Sequence, residues 1–331
     1  MDRRHFLKAG ALVGVTPAFS FPQQQRVVKP ARLPKNPTVG LIAPASALTR
    51  SAFEKTISNM EMLGFAVKYS DNLRNRSGFL SGTDQQRIED LHEMFADPQV
   101  DAVMCARGGY GTTRLLDEID FEVIRNNPKP FIGYSDITAL FSAFYKHCGL
   151  VGFHGPVGAS SLNDFSADYL FDVLEKGKKV KIKAEEPEII TSGTAEGKLI
   201  GGNLSLLTSL IGTNHDVNYK DHIVFIEEVG ESTYRVDRML TQMVSAGKFE
   251  GAKGIALGYF TDCDTSPDDP YYEFSIGLSE VFKDRLGDLG IPVVTGFPFG
   301  HEPHNATLPI GIEALLDADK GMIKLLETAV N

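Results

Sequence analysis

Apolar and polar positions along the chain follow two rhythms that repeatedly exchange. A short apolar run at 38–43 (TVGLIA) predicts a buried strand that stops at Pro44. The stretch 50–63 then sets Phe53, Ile57, Met60 and Leu63 at helical spacing, with Gly64 as the stop. A second strand is predicted at 65–69. Thr83 and Gln86 fit a capping box ahead of Ile88, Leu91 and Phe95, and Pro98 closes that helix. Further strands are predicted at 100–105, 131–134 and 150–153, with a helix after Ser135 whose buried face is Ile137, Leu140, Phe141, Phe144 and Tyr145. This exchange of strand and helix predicts an α/β domain at 38–165 built on a parallel sheet. Ligand sites in such sheets lie at the carboxyl ends of the strands.

The rhythm weakens between 160 and 194. One helix is predicted at 167–175; the lysine-rich run at 176–183 and Glu185-Glu186-Pro187 read as solvated chain, so 166–193 is taken as a linker. Beyond it, a second domain at 194–331 has predicted strands at 197–202, 222–229, 254–259 and 292–297. Its helices fall at 204–211, around Val236–Met243 and at 275–286, and a hairpin at 315–325 turns at Asp319-Lys320-Gly321. Strict alternation is lost near the end, which predicts a mixed α/β domain with a partly antiparallel sheet.

Composition narrows the function. A net charge of −10 over 331 residues argues against a nucleic-acid partner, because phosphate binding needs a basic face. No stretch reaches 18 apolar residues, the length a membrane-spanning helix needs. The three cysteines form no disulfide framework and no zinc-type pair, so neither metal nor cofactor is expected. Residues 1–20 carry Arg3-Arg4, a short apolar run and the small residues Ala18 and Ser20, the pattern of a twin-arginine export signal; 21–37 reads as a Pro- and Gln-containing tether. An exported, periplasmic protein is expected.

Candidate chemistry gathers at predicted strand ends. Gly133-Tyr134-Ser135-Asp136 turns from a strand into a helix, which displays the Ser135 side chain and aims unpartnered helical N–H groups at the same spot. A serine there can attack a carbonyl while those donors hold the oxyanion; a plain helix cap is the alternative. Arg107-Gly108-Gly109-Tyr110-Gly111 has neither the P-loop nor the dinucleotide-binding spacing, and suits an oxyanion hole as well as a tight turn. His301 is the candidate base, with Glu227 or its neighbour Glu228 as the acid that orients it. Pro303 argues against a helical zinc pair of His301 and His304. Cys105 is a weaker alternative nucleophile.

These motifs stand in order with Ala43-Pro44-Ala45-Ser46, Gly82-Thr83-Asp84, Gly201-Gly202-Asn203-Leu204 and Thr307-Leu308-Pro309. The set resembles the LD-carboxypeptidase family, serine peptidases that include murein tetrapeptide carboxypeptidases and microcin C immunity peptidases. The resemblance runs from about residue 38 to about 317. It implies Ser135 as nucleophile, His301 as general base and acid, and Glu227 as orienting acid, at the position matching the family's glutamate. The N–H groups of Asp136 and of Gly108 or Gly109 are implied as the oxyanion hole. The implied fold is a glutamine-amidotransferase-like N-terminal domain with a swivelling C-terminal domain, commonly dimeric. The implied substrate is a peptidoglycan tetrapeptide losing its terminal D-alanine, with Arg107, Asn203, Arg235 and Arg238 as substrate-binding candidates. Two rivals are a peptidase for a peptidyl-nucleotide and a non-catalytic binder of cell-wall peptides.

Overall fold

A computed structural model describes residues 27–267 and 272–331. The export pattern at 1–20 and the first part of the tether lie outside the described residues. Five strands open the chain: β1 (Thr38–Ile42), β2 (Ala66–Tyr69), β3 (Ala102–Cys105), β4 (Phe131–Gly133) and β5 (Phe153–His154). They lie parallel in the order β5-β4-β3-β1-β2. Helices α1 (Arg50–Met62), α2 (Asp84–Ala96), α3 (Phe121–Asn126) and α4 (Thr138–Cys148) connect them. The capping box forms at Thr83 and Gln86, and the five apolar positions predicted for α4 are all buried. Ser142 and Thr138 on the same helix are buried too, because α4 is wedged between the first sheet and elements of the second.

After α5 (Asp164–Leu174) come β6 (Lys181–Lys183), β7 (Ile189–Thr191), β8 (Thr194–Asn203), α6 (Leu204–Ser209), β9 (His222–Val229), α7 (Thr233–Ser245), β10 (Gly254–Thr261), α8 (Leu278–Leu286) and β11 (Val293–Val294). The last strands are β12 (Leu308–Pro309), β13 (Glu313–Asp317) and β14 (Met322–Leu325). The second sheet runs β6-β14-β13-β8-β9-β10-β11-β7, parallel at its centre and antiparallel toward both edges. Both the parallel first sheet and the mixed second sheet are the α/β class expected.

Three segments depart from expectation. The range 166–193 is not simply solvated linker: β6 and β7 close the two edges of the second sheet, and Ile182 is buried between exposed lysines. The part of the tether from residue 27 is docked, with Val28 bridging Leu150, Leu33 buried and Lys29 paired with Glu327 at 2.7 Å. The strand predicted at 292–297 shortens to two residues, after which the chain leaves the second sheet and returns to the first. There β12 pairs antiparallel with β5, Leu308 opposite His154. The segment carrying His301 therefore spans the junction of the two sheets.

Candidate active site

Ser135 follows β4 at the first residue of a single 3₁₀ turn that leads into α4. Its φ is +66°, a left-handed conformation that costs a non-glycine residue on the order of 1–3 kcal/mol. Gly133 makes the sharp turn possible: a Cβ there would meet Ile137 at 3.0 Å. Gly108 packs on the serine from the neighbouring strand end, where an added Cβ would lie 3.0 Å from Ser135 Cβ and 3.3 Å from its Oγ. Backbone can reach the hydroxyl so closely only because this position has no side chain. Gly109 turns instead toward Ser46, whose Oγ accepts from the Tyr110 N–H at 3.0 Å.

The glycine turn is braced from below. Asp136, buried beside the serine, accepts from the Thr112 N–H at 2.8 Å, and burial pushes its carboxyl pKa up. Buried Arg87 donates to the carbonyls of Gly111 (3.0 Å) and Pro44 and pairs with Asp84. The side chain of Asp136 is thus structural, while its N–H starts the turn, where no intrahelical acceptor exists.

On the second sheet, successive side chains of β9 point to opposite faces. Glu227 faces the seam and accepts from His301 Nδ1 at 2.7 Å; Glu228 faces α6, accepting from Asn203 Nδ2 (2.8 Å), Ser205 N (2.8 Å) and Ser205 Oγ (2.6 Å). Of the two carboxylates, Glu227 is the one joined to the imidazole. Burial opposes its ionisation, yet His154 and His301 outweigh burial and hold its pKa down at about 2, so it is anionic at neutral pH. Gly300, at φ +125°, lets the loop approach: a Cβ there would stand 3.1 Å from Glu227 Cβ.

The His301 loop is fixed at its far side by α5. Ser166 Oγ donates to the Pro303 carbonyl and accepts from the Asn305 N–H, both at 3.0 Å, and Asn163 Nδ2 donates to the same carbonyl at 3.1 Å. The Tyr134 ring packs on His301 with centroids 4.8 Å apart. A cleft of about 540 Å³ is lined by Ser135, Gly108, Gly109, Arg107, Tyr134, Val229 and His301, and a second cavity of about 330 Å³ adjoins it across Tyr134, Ser160 and His301. Hydroxyl and imidazole thus face one space, with the carboxylate behind the imidazole.

The two domain models of the LD-carboxypeptidase family match this chain, the N-terminal domain over residues 39–155 and the C-terminal domain over 196–316. The chain belongs to the LD-carboxypeptidase family. As a member it is a serine-type carboxypeptidase, and its similarity to the following relatives spans nearly the full length of each. The Bacillus subtilis protein named probable murein peptide carboxypeptidase is 40% identical over 298 residues, covering 87% of this chain and 91% of that protein. The crystal structure of muramoyltetrapeptide carboxypeptidase from Oxalobacter formigenes superposes with a TM-score of 0.76 at 32% identity, covering 87% of this chain and 97% of that one. The structure of MccF in complex with glutamyl sulfamoyl guanosine superposes with a TM-score of 0.81 at 26% identity, covering 92% and 99%.

Four cations or amides were candidates for binding substrate. Arg107 lines the cleft; it donates only to the carbonyls of Gly108 (3.2 Å) and Ala47 (3.1 Å), and among the described residues no carboxylate pairs with it. Arg235 is exposed on α7, bonded to Glu231 at 3.2 Å, and Arg238 lies over the Tyr234 ring. Neither is among the residues that line the cleft. Asn203 is buried beside the seam, where it caps α6 through the Leu206 N–H and donates to Glu228. Cys105 is fully buried, and burial raises its thiol pKa well above the ordinary range, which suits packing rather than attack. Sequence reasoning missed Tyr134 and His154 as neighbours of the site. The one signal for His154 was its place at a predicted strand end.

Proposed function

We propose that this carboxypeptidase releases the terminal D-alanine of murein tetrapeptides through a Ser135–His301–Glu227 triad. The observation that carries the reading is the 2.7 Å bond from His301 to anionic Glu227, with that imidazole and the strained Ser135 hydroxyl lining one cleft. In the reaction, Ser135 Oγ attacks the carbonyl of the amide that joins the stem peptide to D-alanine. His301 takes the hydroxyl proton through its free nitrogen and returns it to the leaving amine, which departs as D-alanine. Water then cleaves the acyl ester with the same imidazole as base. Glu227 keeps the imidazole in one tautomer and offsets the charge it gains. The N–H groups of Gly108 and Asp136 serve as oxyanion donors, and such a donor contributes on the order of 10²–10³ in turnover.

Arg107 is the natural anchor for the carboxylate of the departing D-alanine, since it brings to the cleft a cation that no carboxylate among the described residues pairs with. Incubation of purified protein with murein tetrapeptide should yield tripeptide and free D-alanine by mass spectrometry, and Ser135→Ala should abolish both. Retention of near-wild-type release by that variant would refute the nucleophile assignment. Arg107→Ala should raise KM about tenfold or more through loss of a charge-assisted hydrogen bond, measured on the same peptide.

Likeness to MccF favours a second reading, cleavage of a peptidyl-nucleotide amide. Parallel assays on a tetrapeptide and an aminoacyl sulfamoyl nucleoside separate the two by kcat/KM. The tetrapeptide reading agrees with export by the twin-arginine pattern, which would bring the enzyme to the cell wall; assembly as a homodimer without nucleic acid belongs to the same proposal.

A further inference from the structure

His154 closes β5, the strand beside β4, so it stands next to the turn that displays Ser135. It is fully buried among the rings of Phe225, Phe299 and Tyr134, at centroid separations of 5.3, 6.3 and 6.0 Å. Among the described residues neither of its ring nitrogens has a hydrogen-bond partner, although buried polar atoms almost always find one. Opposite it lies a second orphan. Glu227 spends Oε2 on His301, while its Oε1 is buried and has no partner among the described residues. The gap from His154 Nε2 to Glu227 Oε1 is 3.7 Å, and a shift of about 0.8 Å brings the pair to ordinary N–H···O length.

Each orphan by itself costs on the order of 1–3 kcal/mol. Here a donor-capable nitrogen and a carboxylate oxygen face each other in an apolar cage, so pairing them removes the costs of Nε2 and Oε1 together and leaves only Nδ1. The groups come from different sheets: His154 from the first, Glu227 from β9 of the second. We propose that His154 is a positioning residue for the triad, donating from Nε2 to the second oxygen of Glu227 and so fixing the carboxylate only when the two sheets are seated on each other. The inference rests on the triad reading above. It makes a single chain from Ser135 through His301 and Glu227 back to the sheet that carries Ser135, so the catalytic alignment senses the fit between the halves.

The test compares His154→Leu, which deletes the donor, with His154→Gln, whose amide places an N–H near the position of Nε2. In folded His154→Leu, kcat should fall roughly 10- to 100-fold, the scale set by misplacement of a catalytic group, with KM little changed. His154→Gln should restore most of kcat. A packing role alone would neither confine the loss to kcat nor be rescued by the smaller amide. Wild-type values in folded His154→Leu, or a Gln variant no better than Leu, overturn the proposal. If His154→Leu does not fold, ¹⁵N spectra of the histidine rings decide: the His154 Nε2 resonance should shift between wild type and Glu227→Gln, and an unmoved resonance overturns it. Ser135→Ala keeps the two readings apart. Release of D-alanine by that variant sinks the triad, whereas an inert Ser135→Ala with unaltered His154 variants sinks only this inference.

Discussion

Ser135 holds a conformation that serine rarely takes. The other described non-glycine residues at positive φ are Asn36, Asp221 and Asp262, whose short polar side chains tolerate the left-handed region by bonding locally. Serine at +66° gains no such relief from its own hydroxyl if that hydroxyl is to stay free for attack. The strain is measurable without an activity assay. Ser135→Ala removes the hydroxyl but keeps a Cβ in the unfavourable region, whereas Ser135→Gly removes both. The glycine variant should therefore be the more stable of the two by about 1 kcal/mol, the cost of a Cβ in the left-handed region less the entropy glycine loses on folding. Denaturant unfolding of the two variants measures the difference. Equal stability would mean that the turn is not strained by the side chain it displays. Gly108 and Gly300 are the counterparts of this economy of space, since an added Cβ would press on Ser135 in one case and on Glu227 in the other.

Among the elements, α5 has the least obvious connection to catalysis, yet its first turn holds the loop that carries His301. Ser166 bonds that loop at two backbone points, Pro303 and Asn305, and Ser166→Ala should cost about 1–3 kcal/mol for the Asn305 N–H left unpaired, the Pro303 carbonyl keeping its bond from Asn163. Because His301 lies on the same loop, kcat should drop with KM nearly constant; thermal unfolding and steady-state kinetics on one preparation measure both effects. Legibility in the sequence also differs by element. Strand β9 was readable to its ends from the apolar run closed by Glu227-Glu228. Its alternation alone implied that the two carboxylates diverge, but which of them meets His301 depends on the return of β12 to the first sheet. Leu308 and Pro309 are too short a run to announce that return. At β6 the period-two signal was present in Lys181-Ile182-Lys183, with Ile182 alone facing inward, and the flanking lysines disguised it as a charge run. His154 ends a two-residue strand, and a lone buried histidine carries no periodicity that could reveal what faces it.

At the scale of the molecule, the chain is sewn to itself across the seam that holds the site. It crosses after α5 into the second sheet, returns at β12 to complete the edge of the first, and crosses a third time to add β13 and β14 to the second. Helix α4 lies against α6 and β8, and Thr138 Oγ1 accepts from the Asn203 N–H at 3.0 Å. The same seam carries the 3.2 Å contact between His147 and His215 and the 2.9 Å contact from His215 to Asp117. The buried apolar residues of both sheets form one continuous cluster. Separating the halves would therefore expose the faces of α4 and α6, strip β12 from β5 and uncover Glu227 on the side that faces His154. Those losses come together, so neither half has an intermediate state in which its own contacts survive intact. Unfolding should accordingly be cooperative, with calorimetric and van't Hoff enthalpies in agreement and with circular dichroism and loss of carboxypeptidase activity following one curve. A first transition that abolishes activity while most secondary structure remains would show that the halves part before they melt, and the coupling between sheet docking and triad alignment would then be weaker than these contacts imply.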